Sequence, residues 1–98
     1  MTIDTQQELK ITVERIFRLP SGENPIPLKA YVNICINDVV TIAGFRVIHS
    51  QISGKFFVTA PQEQGKDKRW YDIVRFKDQK VVNDLQEIVL AEYHKNNQ

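Results

Sequence analysis

The chain has 98 residues, of which 42% are hydrophobic and 26% are charged, and its formal net charge is +1; this composition is typical of one globular domain. No run of about 18 apolar residues is present, which excludes a membrane-spanning helix, and the lone Cys35 excludes an internal disulfide. The first residues lack the basic and apolar regions of a signal peptide, so we expect a cytoplasmic protein.

Flexible tails are predicted at both ends of the sequence. Met1–Leu9 is polar, rich in glutamine and without periodicity, which is typical of a frayed terminus. Residues 96–98 are polar and follow the last periodic segment. Residues 10–95 are therefore predicted to form a single domain.

The first predicted strand is Lys10–Leu19. Its apolar alternation is broken twice, because Arg15 falls on the apolar face and Ile16 on the polar face. A bulge over Glu14–Ile16, or cover on both faces of the strand, explains this break.

The next segments predict a loop and then a hairpin. Pro20–Pro27 contains three prolines and a glycine, a composition that favours a loop over a strand. Leu28–Ile36 alternates cleanly, and the following Asn-Asp pair fits a two-residue turn because both residue types tolerate positive φ. Leu28–Ile36 is therefore predicted to pair antiparallel with Val39–His49, in which Gly44 indicates a bulge or a close backbone approach.

Two more strands and a helix complete the predicted chain. A turn at Ser50–Gly54 leads into the strand Lys55–Ala60, and a polar loop leads into the strand Arg69–Phe76. The period then changes to that of a helix, with Asp78 as its N-cap and a basic last turn that suits the helix dipole. The predicted fold is α+β: an antiparallel five-strand meander followed by one C-terminal helix.

The stretch Val39–Pro61 is the most apolar part of the sequence, and its strands are apolar on both faces. A strand with one face in water is expected to alternate instead. A single helix covers only one face of a sheet, and the exposed sheet edges invite pairing. We therefore expect a homodimer in which a second copy covers a sheet face or an edge.

Four short segments, in this order, resemble the SpoVG family (stage V sporulation protein G, a septation regulator). They are Phe45-Arg46-Val47-Ile48, Phe56-Phe57-Val58-Thr59-Ala60-Pro61, Tyr71-Asp72-Ile73 and Val89-Leu90-Ala91-Glu92-Tyr93-His94. The resemblance covers roughly residues 10–95. It implies a small dimeric α+β protein that binds DNA or RNA, regulates sporulation and septation, and has neither catalytic activity nor a cofactor.

The sequence departs from the family pattern in the length of two segments, because the turn before Phe56 is longer and the Pro20–Pro27 loop resembles an insertion, and at three further places. Gln62-Glu63-Gln64 replaces a short basic stretch, Tyr71 replaces an arginine, and a basic pair at the start of the helix corresponds to Val82 and Asp84. The last three departures concern the residues implied to bind nucleic acid.

The basic residues between 66 and 80 are the main candidates for binding nucleic acid. This segment contains six basic and three acidic residues, a local net charge of +3. Lysine and arginine neutralise phosphates, and Trp70 or Tyr71 can stack on an unpaired base; the alternative is a solvated loop with Trp70 in the core. The candidate contacts are Arg46, Lys66, Lys68, Arg69, Arg75, Lys77 and Lys80.

Arg46 is surrounded by apolar residues in its strand. It is therefore expected either to reach solvent and contact a ligand or to pair with an acid such as Asp72, since buried charges are nearly always paired.

Catalytic and metal sites are not predicted. His49, Ser50 and Asp72 lack the supporting motif of a hydrolase triad, and two distant histidines with one cysteine do not make a zinc site. The glycines do not have the spacing of a phosphate loop.

The alternative to nucleic-acid binding is a protein-interaction module that uses either the Pro20–Pro27 loop or an acidic helix face. That face consists of Asp84, Glu87 and Glu92.

Overall fold

The computed structural model of the chain describes residues 9–20 and 27–95. The predicted tails at residues 1–8 and 96–98, and the predicted loop at residues 21–26, lie outside the described residues.

Four antiparallel strands form the main sheet in the order β1-β2-β3-β4, which is also their order along the chain. They are β1 (Ile11–Arg18), β2 (Leu28–Ile36), β3 (Val40–His49) and β4 (Phe56–Thr59). Two short strands, β5 (Gln62–Gln64) and β6 (Trp70–Asp72), form a separate antiparallel pair. The helix α1 (Gln79–Lys95) ends the described chain.

The α+β class and the order of strands followed by a helix are confirmed, but the fifth predicted strand differs. Only Trp70–Asp72 of the segment Arg69–Phe76 is a strand, and it pairs with β5 instead of the meander. The ladder ends there because the backbone N–H groups of Ile73 and Val74 both donate to the carbonyl oxygen of Pro61, at 3.0 and 3.3 Å.

The predicted hairpin turn between β2 and β3 is confirmed. Asn37 and Asp38 both have positive φ, 52° and 57°, and the N–H of Val39 donates to the carbonyl of Ile36 at 2.9 Å. Two consecutive residues with positive φ match the twist of a tight hairpin. Lys10 tethers the turn to β1 through a 2.9 Å ion pair with Asp38.

Both predicted bulges are present. The register between β1 and β2 shifts between Val13 and Arg15. The residues of β1 that face the core therefore change from odd-numbered ones, Ile11 and Val13, to the even-numbered Ile16. This shift places Ile16 opposite Val32, a core residue, and it explains the broken alternation. A second shift lies opposite Gly44, whose φ is +96°, a conformation that side chains disfavour.

One face of the sheet and one face of α1 form the core. From the sheet come Ile11, Ala30, Val32, Ile34, Phe45, Val47 and Val58, and from the helix come Leu85, Val89 and Tyr93. The helix begins as predicted, because the side chain of Asp78 accepts a hydrogen bond from the N–H of Lys80 at 2.9 Å. None of the helices in residues 9–20 and 27–95 is long and apolar enough to cross a membrane.

Two polar side chains attach the helix to the outer strands of the sheet. Gln86 accepts a hydrogen bond from the N–H of Val58 at 2.8 Å and donates one to its carbonyl at 2.6 Å, so its amide occupies the open edge of β4. Arg18 of β1 donates to the carbonyl of Tyr93 near the C-terminal end of α1, where helix carbonyls lack intrahelical partners. Its guanidinium carbon also lies 4.4 Å from the centre of the Tyr93 ring.

The other face of the sheet, here called the open face, is not covered by α1. Phe17, Tyr31, Arg46 and Thr59 lie side by side across β1 to β4 on this face. Phe17 and Tyr31 are 42% and 38% exposed, and Phe57 is 40% exposed. Both strand faces of Val39–Pro61 therefore carry apolar residues, as predicted, and α1 covers only one of them.

Candidate nucleic-acid interface

The strands β5 and β6 form a short two-stranded arm, residues 62–72, that leaves the sheet directly after β4. Gln62 pairs with Asp72 and Gln64 with Trp70. The arm starts and ends at the same point, because the carbonyl of Pro61 accepts the N–H groups of the two residues that follow β6. The candidate residues Lys66, Lys68 and Arg69 all lie in the turn at the far end of this arm.

A side-chain network fixes that turn. Asp67 accepts a 2.5 Å hydrogen bond from the hydroxyl of Tyr71 and a 3.0 Å bond from the N–H of Arg69. The Tyr71 ring lies so close to Gly65 that an added Cβ would be 2.7 Å from its Cε2 atom. Lys68 has a φ of +66°. The basic turn is therefore held in one conformation by its neighbours.

The contact between Asp67 and Tyr71 also shifts the pKa of both side chains. The hydrogen bond from Tyr71, and then that from the backbone of Arg69, lowers the pKa of Asp67 from its ordinary value of 3.8. The same bond to Asp67 raises the pKa of Tyr71 above 10.0. At neutral pH the carboxylate is therefore ionised and the phenol is protonated, which is the pair of states that the hydrogen bond requires.

Trp70 connects the arm to the open face. The guanidinium carbon of Arg46, in the middle of β3, lies 5.5 Å from the centre of the Trp70 ring, a cation–π distance. The Nε atom of Arg46 is buried, and it has no hydrogen-bond partner in the described parts of the chain. Of the two alternatives for Arg46, the ion pair with Asp72 is not formed within residues 9–20 and 27–95; Asp72 accepts a 2.8 Å hydrogen bond from Gln62.

Trp70 is not in the core, contrary to the alternative considered for the basic segment. It is 53% exposed, and Tyr71 is 49% exposed. Residues 74 and 76 of the same segment do face the core, and Phe76 stacks on the buried Phe45 with 6.3 Å between ring centres. Phe76, rather than Trp70, is therefore the aromatic residue of this segment that packs against the core.

The remaining candidates follow the arm along the chain. Arg75 and Lys77 alternate with the packed Val74 and Phe76, so their side chains are exposed. Lys80 lies in the first turn of α1 and forms a 3.3 Å ion pair with Asp84. The structure thus brings Arg46 and Trp70 into contact, and it distributes the other basic residues over the turn, the linker and the start of the helix.

The acidic residues between 66 and 80 serve the structure, whereas most of the basic residues there do not. Asp67 and Asp72 hold the arm together, and Asp78 caps the helix. Five of the basic side chains make no ion pair within residues 9–20 and 27–95. They are Lys66, Lys68, Arg69, Arg75 and Lys77.

Sequence reasoning missed the residues that support the site. Gly65 and Gln62 have no distinctive pattern, and their roles depend on contacts with Tyr71 and Asp72 across the arm. His49, considered above for a hydrolase triad, instead stacks on Phe56 with 4.3 Å between ring centres. The local signal that was available was the Gly65–Asp67 turn composition.

Comparison with known proteins identifies sequence relatives. The sequence model of the SpoVG family matches residues 9–95, which extends from the residues before β1 to the end of α1. A curated protein from Anaeromyxobacter sp. (strain Fw109-5), named "Putative septation protein SpoVG", is 29% identical over 85 residues. The aligned part covers 87% of this chain and 81% of that relative.

Proposed function

Because this chain belongs to the SpoVG family, as its sequence pattern predicted, we propose that it is a dimeric, non-catalytic regulator that binds DNA or RNA. The arm and the linker that follows it supply the contacts. The relative is named as a septation protein, and we propose septation as the regulated process here also.

The observation that carries this proposal is the separation of charge within residues 66–80. The acidic side chains are engaged in hydrogen bonds inside the protein, while Lys66, Lys68 and Arg69 are exposed together on one fixed turn. A fixed turn loses little conformational entropy when it binds a phosphate backbone. Each neutralised phosphate releases counterions, so the binding is expected to depend strongly on salt.

The dimer is proposed from the open face. Phe17, Tyr31 and Phe57 are each about two-fifths exposed on one side of the same sheet, and exposed apolar surface concentrated on one face marks interaction sites. A second copy that packs on this face would bury it and bring two arms into one assembly. Sedimentation equilibrium is expected to give twice the protomer mass of 11.4 kDa, and a mass of one protomer would refute this part of the proposal.

Charge reversal in the turn tests the nucleic-acid contact. The double variant Lys66→Glu/Lys68→Glu is expected to weaken binding of a labelled DNA or RNA by roughly tenfold or more at low salt. It should also reduce the slope of log K against log salt by about 2, one for each lost phosphate contact. Fluorescence anisotropy at several salt concentrations measures both quantities.

The matched control is Lys55→Glu/Lys95→Glu, which makes the same change in net charge at two exposed lysines outside the arm and linker. It is expected to keep the wild-type salt slope. The proposal fails if the wild-type protein binds neither DNA nor RNA at about 50 mM salt, a condition under which non-specific binding is strong. If binding is present but equal in both double variants, the arm is not the contact surface, and a protein-interaction role gains support.

A further inference from the structure

We propose that the arm binds single-stranded nucleic acid, with an unpaired base stacked on Trp70. This inference rests on the proposed function and specifies its ligand. It starts from the exposure of a tryptophan: Trp70 leaves 53% of its surface in solvent, although aromatic residues of this size usually bury most of theirs.

The ring of Trp70 is already supported on the protein side. Arg46 holds its guanidinium 5.5 Å from the ring centre, and Arg46 belongs to a strand that is paired on both sides, with β2 and with β4. The indole is therefore backed by a rigid part of the sheet. A base that stacks on the exposed part of the ring would extend an arginine–indole–base stack, an arrangement that proteins use for unpaired bases.

Tyr71, the other aromatic candidate, has a different role. Its hydroxyl is bound to Asp67, and its ring packs on Gly65 at the base of the turn. Moving the ring to meet a base would break the network that fixes Lys68 and Arg69. The structure therefore assigns the stacking to Trp70 and the shaping of the turn to Tyr71.

Basic residues lie on both sides of Trp70 along the chain. The turn before β6 exposes Lys66, Lys68 and Arg69, and the linker after it exposes Arg75 and Lys77. A backbone of phosphates that passes Trp70 thus has cations available in either direction. This combination of a stacking platform and flanking positive charge is typical of single-strand binding surfaces.

A duplex fits the arm less well. Two-stranded ribbons do enter the major groove of DNA, but β5 and β6 have only three residues each, and the indole of Trp70 is turned onto Arg46 of the sheet. In a duplex the base faces are covered by their neighbours, and exposing one costs a few kcal/mol. A single strand offers base faces without that cost.

The fluorescence of Trp70 can report binding directly, because Trp70 is the one tryptophan of the chain. Its fluorescence is followed during titration with an oligo(dT) of about 12 nucleotides, within the usual site size of single-strand binders, and with a mixed-sequence duplex of the same length. The single strand is expected to quench the emission and to bind more tightly than the duplex.

Substitution of Trp70 separates stacking from simple packing. Trp70→Leu keeps an apolar side chain but removes the aromatic platform, and it should weaken oligo(dT) binding by roughly 5- to 150-fold, as measured for stacked bases. Trp70→Phe keeps a ring and should retain most of the affinity. Anisotropy of labelled oligo(dT) measures both variants, and circular dichroism melting confirms that each is folded.

The outcomes distinguish this inference from the function on which it rests. Tighter binding of the duplex, an unquenched Trp70 with bound oligo(dT), or equal affinities of Trp70→Leu and Trp70→Phe overturns the single-strand inference and leaves the nucleic-acid function in place. Failure of both oligo(dT) and duplex to bind at about 50 mM salt overturns the two together. Quenching by oligo(dT) that is abolished in Lys66→Glu/Lys68→Glu supports both.

Discussion

Replacing Gln86 with leucine should destabilise the protein far more than a surface substitution in a helix normally does. Gln86 makes two hydrogen bonds to the main chain of Val58, at 2.8 and 2.6 Å, in a partly buried position. Each such bond contributes about 0.5–1.5 kcal/mol net, so the loss of both costs about 1–3 kcal/mol. Leucine has a high helix propensity, so the helix itself is not penalised.

Thermal denaturation measures this effect. For a domain of this size, 1 kcal/mol shifts the Tm by roughly 4–8 °C, which predicts a decrease of roughly 4–24 °C for Gln86→Leu. Protein concentration must be held constant, because association makes the Tm depend on concentration. Hydrogen exchange gives a local readout: the amide of Val58 should lose its protection in the variant.

Gln79→Leu is the matched control in the same helix. The Gln79 amide donates to Asn83 at 3.0 Å in an exposed position, and such pairs contribute about 0.2–0.5 kcal/mol. The control should therefore melt within a few degrees of the wild type. Equal Tm values for Gln86→Leu and Gln79→Leu would refute the claim that the Gln86 amide stabilises the edge of β4.

Two further predictions concern the arm. Gly65→Ala should release Tyr71 from Asp67, because the new Cβ would lie 2.7 Å from the ring; the amide of Arg69, which donates to Asp67, should then exchange faster, and unchanged exchange would contradict this account. Asp67→Ala should lower the pKa of Tyr71 toward 10.0, since the bond to Asp67 is the main cause of its elevation. In the wild type, ionised Asp67 should stabilise the turn above pH 3.8, and this stabilisation should be lost as the pH falls through the lowered pKa of Asp67. Protonated Tyr71 should stabilise the turn below pH 10.0, and this stabilisation should be lost as the pH rises through the raised pKa of Tyr71. An NMR titration of Tyr71 in both proteins tests this, and identical curves would exclude the proposed contact.

The main sheet and the helix were predictable because their signals are local. Alternation in Leu28–Ile36 and the spacing of apolar residues in α1 require no knowledge of distant residues. The turn at Asn37-Asp38 follows from the φ values that these residues tolerate. The bulge in β1 was one of two explanations that the broken alternation at Arg15 and Ile16 allowed, the other being cover on both faces, and the register shift between Val13 and Arg15 decides for the bulge.

The arm was not predictable in the same way. Its strands have three residues each, too few for a period, and its stem depends on one carbonyl, that of Pro61. From the sequence, an acid is one expected partner for Arg46, because burial of a charge usually requires an opposite charge. The aromatic face that it meets belongs to Trp70, on a strand of another sheet, and sequence spacing alone does not indicate that contact.

The stem at Pro61 has a consequence for how this protein can change during evolution. Because the chain enters and leaves the arm at a single carbonyl, residues can be exchanged, inserted or deleted beyond it without altering the register of the meander. The arm can thus be replaced while the main sheet and α1 keep their structure. This arrangement fits a chain that matches the SpoVG family model over residues 9–95 and yet has Gln62-Glu63-Gln64 where the resemblance implied a basic stretch. Under the proposed function, transplanting the arm together with the β3 residue that it contacts, here Arg46, should transfer recognition without redesign of the core.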